Sequence, residues 1–316
     1  MVREFSEAEV EERLPMSVAL EAVAAAMRAL AAGQAVNQPR RRLSLPAAPG
    51  GPRSRAMLHA MEGAVYRNGR WYFGYKIYST GSAGAHFTVG LYDGETGAPL
   101  ARFAADRLGQ RRTGAASALA TQFLSPADAD DVAVIGAGWQ AESQLEGIAM
   151  VRPLRRIRVF SRRVENRNRF ADKISQRLGI QVAPSQSAAA AVQGAAIIVT
   201  ATTAPTPVLA DADLAPGAHI NAIGSNAAGR RELEAATVLR ASRLVVDSRE
   251  QCRQEAGDLL AAFADQDSGW DRVEELATVV AAGPRPRDPG ALTLFKSTGM
   301  AIWDVACAAA IWEQAG

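Results

Sequence analysis

Apolar positions recur with two different periods in the first third of the chain. Ser6-Glu7-Ala8-Glu9 has the Ser-x-x-Glu form of a capping box, so a helix is expected to start there. After Pro15, residues Val18, Ala22, Ala25, Ala26 and Ala29 fall on one helical face, and Gly33 ends the pattern. From Met57 to Phe103 the texture changes. Trp71-Tyr72-Phe73 and Phe87-Thr88-Val89 are aromatic and β-branched, with turn signals at Arg67-Asn68-Gly69-Arg70 and Asp93-Gly94. This predicts an antiparallel sheet, with a loop at Tyr78-Ser79-Thr80-Gly81-Ser82. A helix starting at Thr113 and running to Leu124 follows.

From Asp131 strands and helices alternate. Strands are expected at Val132–Ile135, Ile157–Phe160, Ala196–Thr200, His219–Ile223 and Leu244–Asp247. Between the first two, Ala141, Leu145, Ile148 and Ala149 share a helical face. After the second, Phe170, Ile174 and Leu178 do the same. Such alternation predicts a parallel sheet covered on both sides. Gly283 to Gly290 reads as a loop, and a last helix places Ile302, Val305, Ala306 and Ala309 together.

Composition narrows the class. With 316 residues, 48% hydrophobic, the chain has room for two packed domains. A net charge of +2 gives no global pull towards nucleic acid or a membrane surface. No apolar run has the ~18 residues of a membrane span, and the charged start lacks a secretion signal, so a cytoplasmic protein is expected. Cys252 and Cys307 are expected to be ordinary thiols rather than a disulfide, and no His/Cys cluster has metal-ligand spacing.

The strongest chemical signal is Asp131-Val-Ala-Val-Ile-Gly136-Ala-Gly138-Trp139-Gln140-Ala141. Gly136 suits a tight turn out of a strand, Gly138 lets backbone approach a pyrophosphate, and Ala141 keeps the helix close to the sheet. The helix N-terminus then offers N–H groups to phosphates. This predicts a dinucleotide site. Where an NAD site has Asp or Glu, the second strand here ends in Ser161-Arg162-Arg163. Guanidinium groups without a carboxylate favour NADP(H), with NAD(H) the other possibility.

Further sequences complete an ordered set: Gln38-Pro39-Arg40-Arg41, Gly74-Tyr75-Lys76-Ile77, Asp93-Gly94-Glu95-Thr96-Gly97, Arg112-Thr113-Gly114-Ala115-Ala116-Ser117, Asn221-Ala222-Ile223-Gly224-Ser225-Asn226, Arg231-Glu232-Leu233, Val246-Asp247-Ser248 and Lys296-Ser297-Thr298-Gly299. In this set the chain resembles the ornithine cyclodeaminase/mu-crystallin family. The resemblance implies an α/β protein with two parts. One is a Rossmann domain at 123–299; the other is a discontinuous α+β substrate and dimerisation domain, 1–122 with 300–316. It also implies a homodimer and a small amino- or imino-acid substrate.

By the same resemblance Arg41 and Arg112 clamp the substrate carboxylate, the run Arg40-Arg41-Arg42 leaving the register of Arg41 open by one residue, and Lys76 contacts it and moves a proton. Arg112, just before the expected helix start, would present a guanidinium and a helix N-terminus together. Without the resemblance, Lys76 would be read as a solvent-facing strand lysine. Thr113, Thr200, Thr202, Gly224 and Gly299 join the cofactor site with Gly136, Gly138, Trp139, Gln140, Ala141, Ser161, Arg162 and Arg163. His86 is expected to be the sheet histidine nearest the pocket, His59 is given no role and Asp304 is expected to be structural. Cyclodeaminases of the family carry an aspartate at Asn226. Asparagine cannot take up a proton near neutrality, which favours imine reduction, with Asn226 orienting the substrate. The alternatives are an ornithine cyclodeaminase and a non-catalytic, crystallin-like NADPH or small-ligand binder.

Overall fold

A computed structural model describes residues 2–47, 49, 56–264 and 267–315. It divides into two compact units, Met1–Arg112 with Met300–Gly316, and Thr113–Gly299. The division falls inside the helix Asp106–Leu124, earlier than the 122/123 boundary expected from sequence. The later turns of this helix pack into the second unit: a Cβ on Gly114 would lie 2.2 Å from the Ser143 carbonyl oxygen.

The first unit holds β1 (Arg3–Phe5), β2 (Ala35–Asn37), β3 (Arg41–Ser44), β4 (Met57–Arg67), β5 (Arg70–Gly81), β6 (Gly84–Asp93) and β7 (Pro99–Ala104). The sheet order is β1-β7-β6-β5-β4-β2, with β3 also on β4. Only β1–β7 is a parallel pair; the rest are antiparallel. Asn68 and Gly69 both have positive φ, as a two-residue hairpin between β4 and β5 needs. Helices Met16–Ala31 and Ala301–Gln314 pack against this sheet, and the second is buried from Ala301 to Ile311. The segment expected as a loop after Lys76 is strand as far as Gly81, with Ser79 opposite His86 and Thr80 opposite Ala85. Its alternating aromatic and β-branched residues continue the ladder, and the turn comes at Ser82-Ala83.

The second unit holds β8 (Asp131–Ile135), β9 (Arg156–Phe160), β10 (Val182–Pro184), β11 (Ile197–Thr200), β12 (His219–Ala222), β13 (Arg243–Val246), β14 (Val273–Glu275) and β15 (Thr293–Lys296). All pairs are parallel, in the order β10-β9-β8-β11-β12-β15-β13-β14. Apolar clusters on both faces make the layered core that the alternation predicts. Strand β15 was not expected; its four residues are all buried, and a run that short shows no period. Helix Val164–Leu178 buries Phe170 and Ile174 and ends at Gly179 with φ +67.

No single helix among the described residues is long and apolar enough to cross a membrane. Cys252 and Cys307 are buried free thiols, and burial pushes Cys307 up to about 12.

Candidate active site

A candidate cofactor site lies in the second unit. Strand order reverses between β8 and β11, the place where open parallel sheets bind ligands. Gly136, directly after β8, has φ +115, and a Cβ there would lie 2.4 Å from the Ala201 carbonyl oxygen. Only glycine fits. Gly138 is the extended N-cap of helix Trp139–Val151; no side chain caps that helix start, and nothing lies within 4 Å of a Cβ built on Gly138. Ala141 is fully buried in the core beneath, while Trp139 is exposed and Gln140 half-buried. A cleft of about 550 Å³ runs along Gly136, Gly138, Ser161, Arg162 and Thr202. The uncapped helix start, the glycine that tolerates no Cβ and the open backbone at Gly138 fit a dinucleotide pyrophosphate.

Ser161, Arg162, Arg163 and Asn166 line a further opening of about 480 Å³ beyond the end of β9. Nearby arginines are committed elsewhere. Arg152 donates to the carbonyls of Thr121, Gln122 and Ser125. Arg156 and Arg158 pair with Asp131, and Arg167 donates to the Ser161 carbonyl and Gln186. Arg162 and Arg163 are exposed, and among the described residues their guanidinium groups have neither hydrogen bond nor ion pair.

The other predicted cofactor residues sit at strand ends. Glu232 accepts from the Thr200 hydroxyl (3.0 Å), the Thr202 N–H (2.7 Å) and hydroxyl (2.8 Å), and the Gly224 N–H (2.7 Å). Thr200 is fully buried and satisfied by this bond, so it shapes the site from beneath. Burial raises the Glu232 carboxyl, against the lowering pull of Lys296. Lys296 pairs with Asp258 at 2.8 Å and donates to the Ser225 carbonyl at 2.7 Å. Asp247 gathers Ser297, the Thr298 N–H and the Gly299 N–H on one oxygen, at 2.6 to 2.9 Å. Several sequence marks of the family are thus one buried scaffold under these turns. Asn226 is an exposed residue of the turn after β12, and Thr113 is half-buried on its helix.

The residues expected to meet the substrate lie in the first unit. Along β5, Tyr72, Gly74, Lys76 and Tyr78 are buried while Phe73 and Ile77 are exposed. The period of two therefore turns Lys76 inward, against its reading by residue type alone. Its ammonium lies 2.9 Å from Asp304 Oδ1. Arg112 Nε reaches the same oxygen at 3.2 Å. Lys76 is 2% exposed, Arg112 7% and Asp304 0%. Burial lowers Lys76 to about 8, Asp304 pulls it up, and Arg112 and Arg40 push it further down.

Two expectations are corrected here. Arg112 is not at a helix start, because the helix begins at Asp106. That start is capped by Glu7, whose carboxylate accepts from the Asp106 and Arg107 N–H groups at 2.7 and 2.9 Å, a contact from far along the chain. Arg112 acts through its guanidinium alone. Arg41, expected as the second clamp, has a side chain 75% exposed and paired with Glu62. It stands opposite Ala60, on the outer face with Glu62, whereas Lys76 stands opposite Met61. A shift of one residue changes the face. Arg40 is the buried one, 6% exposed, and its charge lowers both Lys76 and His59.

His86, expected nearest the pocket, is exposed. His59 instead is buried, stacked on Tyr78 at 4.2 Å and bonded to the Thr80 hydroxyl. Burial, with Arg42 and Arg40, lowers it to about 4. Tyr78 stacks on Phe87, whose ring centroid lies 5.1 Å from the Lys76 ammonium. Arg40 is the one-residue alternative that the arginine run left open, and Asp304, expected to be structural, is the carboxylate that meets Lys76 and Arg112. Asp304 had a signal: a carboxylate within an otherwise apolar helix must find cations.

The family model described as "Ornithine cyclodeaminase/mu-crystallin family" matches residues 2–316. The ketimine reductase mu-crystallin of Rattus norvegicus is 35% identical over 241 residues, 76% of this chain and 73% of that protein. Among solved structures, the Delta(1)-pyrroline-2-carboxylate reductase of Thermococcus litoralis, in complex with NADH and L-proline, has a TM-score of 0.91. It is 30% identical, over 100% of this chain and 97% of that one. An archaeal alanine dehydrogenase dimer with bound NAD has a TM-score of 0.89 and is 28% identical, over 99% and 96% of the two chains.

Proposed function

The chain belongs to the ornithine cyclodeaminase/mu-crystallin family and is a nicotinamide-dependent enzyme; on that premise we propose that it reduces a cyclic ketimine or α-imino acid with NADPH. The observation that carries the reading is the buried pair Lys76 and Arg112 on one oxygen of Asp304, with the charge of Arg40 also felt at Lys76. Two buried cations thus share one carboxylate oxygen, an arrangement that suits an anionic ligand. Arg112 and Arg40 bind the substrate carboxylate, and Lys76 holds the proton destined for the imine nitrogen. Gly136, Gly138 and Trp139–Ala141 would hold a reduced nicotinamide cofactor, whose chemistry when bound would be hydride donation to the imine carbon. Asn226 cannot cycle a proton, which disfavours ammonia elimination from ornithine.

Arg162 and Arg163, exposed and without partners, support the choice of NADPH. The exposed apolar row Leu43, Leu58, Phe73 and Ile77 on the outer face of the first sheet supports a homodimer through that face. Phe73→Arg should give a monomer by light scattering; an unchanged mass would remove this assignment.

The test is a paired assay. Purified protein receives NADPH or NADH with cyclic imines, or with 2-oxo acids plus amines, and nicotinamide absorbance is followed. In parallel, ornithine and lysine are supplied with catalytic NAD and ammonia is measured. Imine-dependent oxidation, faster with NADPH, is expected. Ammonia release without net cofactor change would overturn the reading in favour of a cyclodeaminase.

A further inference from the structure

Asp304 binds two buried cations through one oxygen, and its second oxygen is buried with no hydrogen-bond partner among the described residues. Buried acceptors are almost always satisfied, so an acceptor left open beside a reacting group calls for an explanation. The charges around Lys76 supply one. From the long helix comes Arg112, from the segment before β3 comes Arg40, and from the C-terminal helix comes Asp304. Cys307 on that same helix is neutral, its thiol pushed up to about 12, and His59 on β4 is neutral above about pH 4. Asp304 is therefore the anion that opposes burial and two arginines at Lys76.

We propose that Asp304 is the positioning residue of the reaction: its Oδ1 keeps Lys76 in the ammonium form and aims it, so that Lys76 is the group that protonates the substrate nitrogen. The proposal rests on the imine-reductase reading. In the step, hydride from the reduced nicotinamide forms the new C–H bond. The C=N π pair becomes an N–H bond with a proton from Lys76 Nζ. Lys76 is left as a neutral amine and regains its proton from solvent. Without Asp304, burial and the two arginines would act on the lysine unopposed and favour the neutral amine, which has no such proton to give. With Asp304 it is charged, yet far more acidic than a lysine in water, and so a competent donor. The unpartnered Oδ2 remains an acceptor for the N–H that the step creates.

The experiment reads Lys76 directly. Acetylation of Lys76 by trace acetic anhydride is quantified by peptide mass spectrometry against pH, in the intact protein and in Asp304→Asn. Loss of one contacting charge moves a pKa by roughly 1–3 units. The labelling midpoint should therefore move down by about that much in Asp304→Asn. The high-pH limb of imine reduction should fall with it, costing about 10-fold or more at pH 8 and recovering towards pH 6. Arg112→Met provides a variant of opposite sign, since removing a cation should move the midpoint up even if Asp304→Asn fails to fold. A purely structural Asp304 would leave the midpoint in place, which overturns the proposal, as does an unmoved midpoint in Arg112→Met. If the midpoints move as expected but the unmodified protein reduces no imine, the charge assignment stands and the imine-reductase reading falls.

Discussion

Each unit buries a lysine against an aspartate, and the two lysines behave in opposite ways. Lys76 pairs with Asp304 and is lowered to about 8. Lys296 pairs with Asp258 and is raised. Burial is the largest influence on both and lowers both, so burial does not separate them. Their neighbours do. Around Lys76 two arginines oppose one carboxylate, whereas around Lys296 the charges of Asp258 and Glu232 act together and outweigh burial. The second group uses both oxygens of its aspartate: Asp258 Oδ2 lies against Lys296, Oδ1 takes the N–H groups of Glu232 and Leu233, and Glu232 takes those of Thr202 and Gly224. In the first group one oxygen of Asp304 serves both cations, and its other oxygen has no hydrogen-bond partner among the described residues. One is a strut under the turns after β11 and β12; the other is the group proposed to receive the substrate anion.

Substitutions can break that contrast. The largest effect is expected at the strut. Lys296→Met leaves two buried carboxylates without their cation and should cost about 3–5 kcal/mol of stability, read by urea unfolding. Lys76→Met, which leaves Asp304 with Arg112, should unfold much closer to the unmodified protein while losing imine reduction. Equal destabilisation by the two would mean that both lysines are struts.

Next is Arg112→Ala, which should lower kcat/KM for the imine by an amount equivalent to about 2–4 kcal/mol, because the substrate carboxylate is left partly unpaired. Unchanged imine reduction in this variant would remove Arg112 from the substrate site.

The smallest effect concerns His219, fully buried beside β15 and lowered to about 3 by burial and by Arg287 and Arg152. Unfolded, a histidine titrates near 6.5, so between these values the unfolded chain binds the extra proton. Its contribution is present above about pH 6.5 and is lost as pH falls towards 3, amounting to roughly 2 kcal/mol lost by pH 5. Urea unfolding at pH 7 and pH 5 should show this loss, and His219→Gln should reduce it; an identical pH dependence in the variant would exclude His219 as a source.

Much of this protein was written locally. The Gly136-x-Gly138-x-x-Ala141 turn lies within one βαβ unit, so its chemistry could be read from spacing, and φ +115 at Gly136 follows from the same constraint. The capping box at Ser6 and the hairpin at Asn68-Gly69 are equally local. The substrate half was not local. Lys76, Arg112 and Asp304 come from a strand and two helices far apart in the chain, and composition shows none of their distances. The helix start at Asp106 depends on Glu7, and the choice of Arg40 over Arg41 depends on how β3 registers with β4. Spacing along the chain determines a turn because the backbone itself enforces it. Which charges share one buried oxygen is decided by strand register and helix packing, since a one-residue shift exchanges the buried and exposed faces and with them the charge that each group meets.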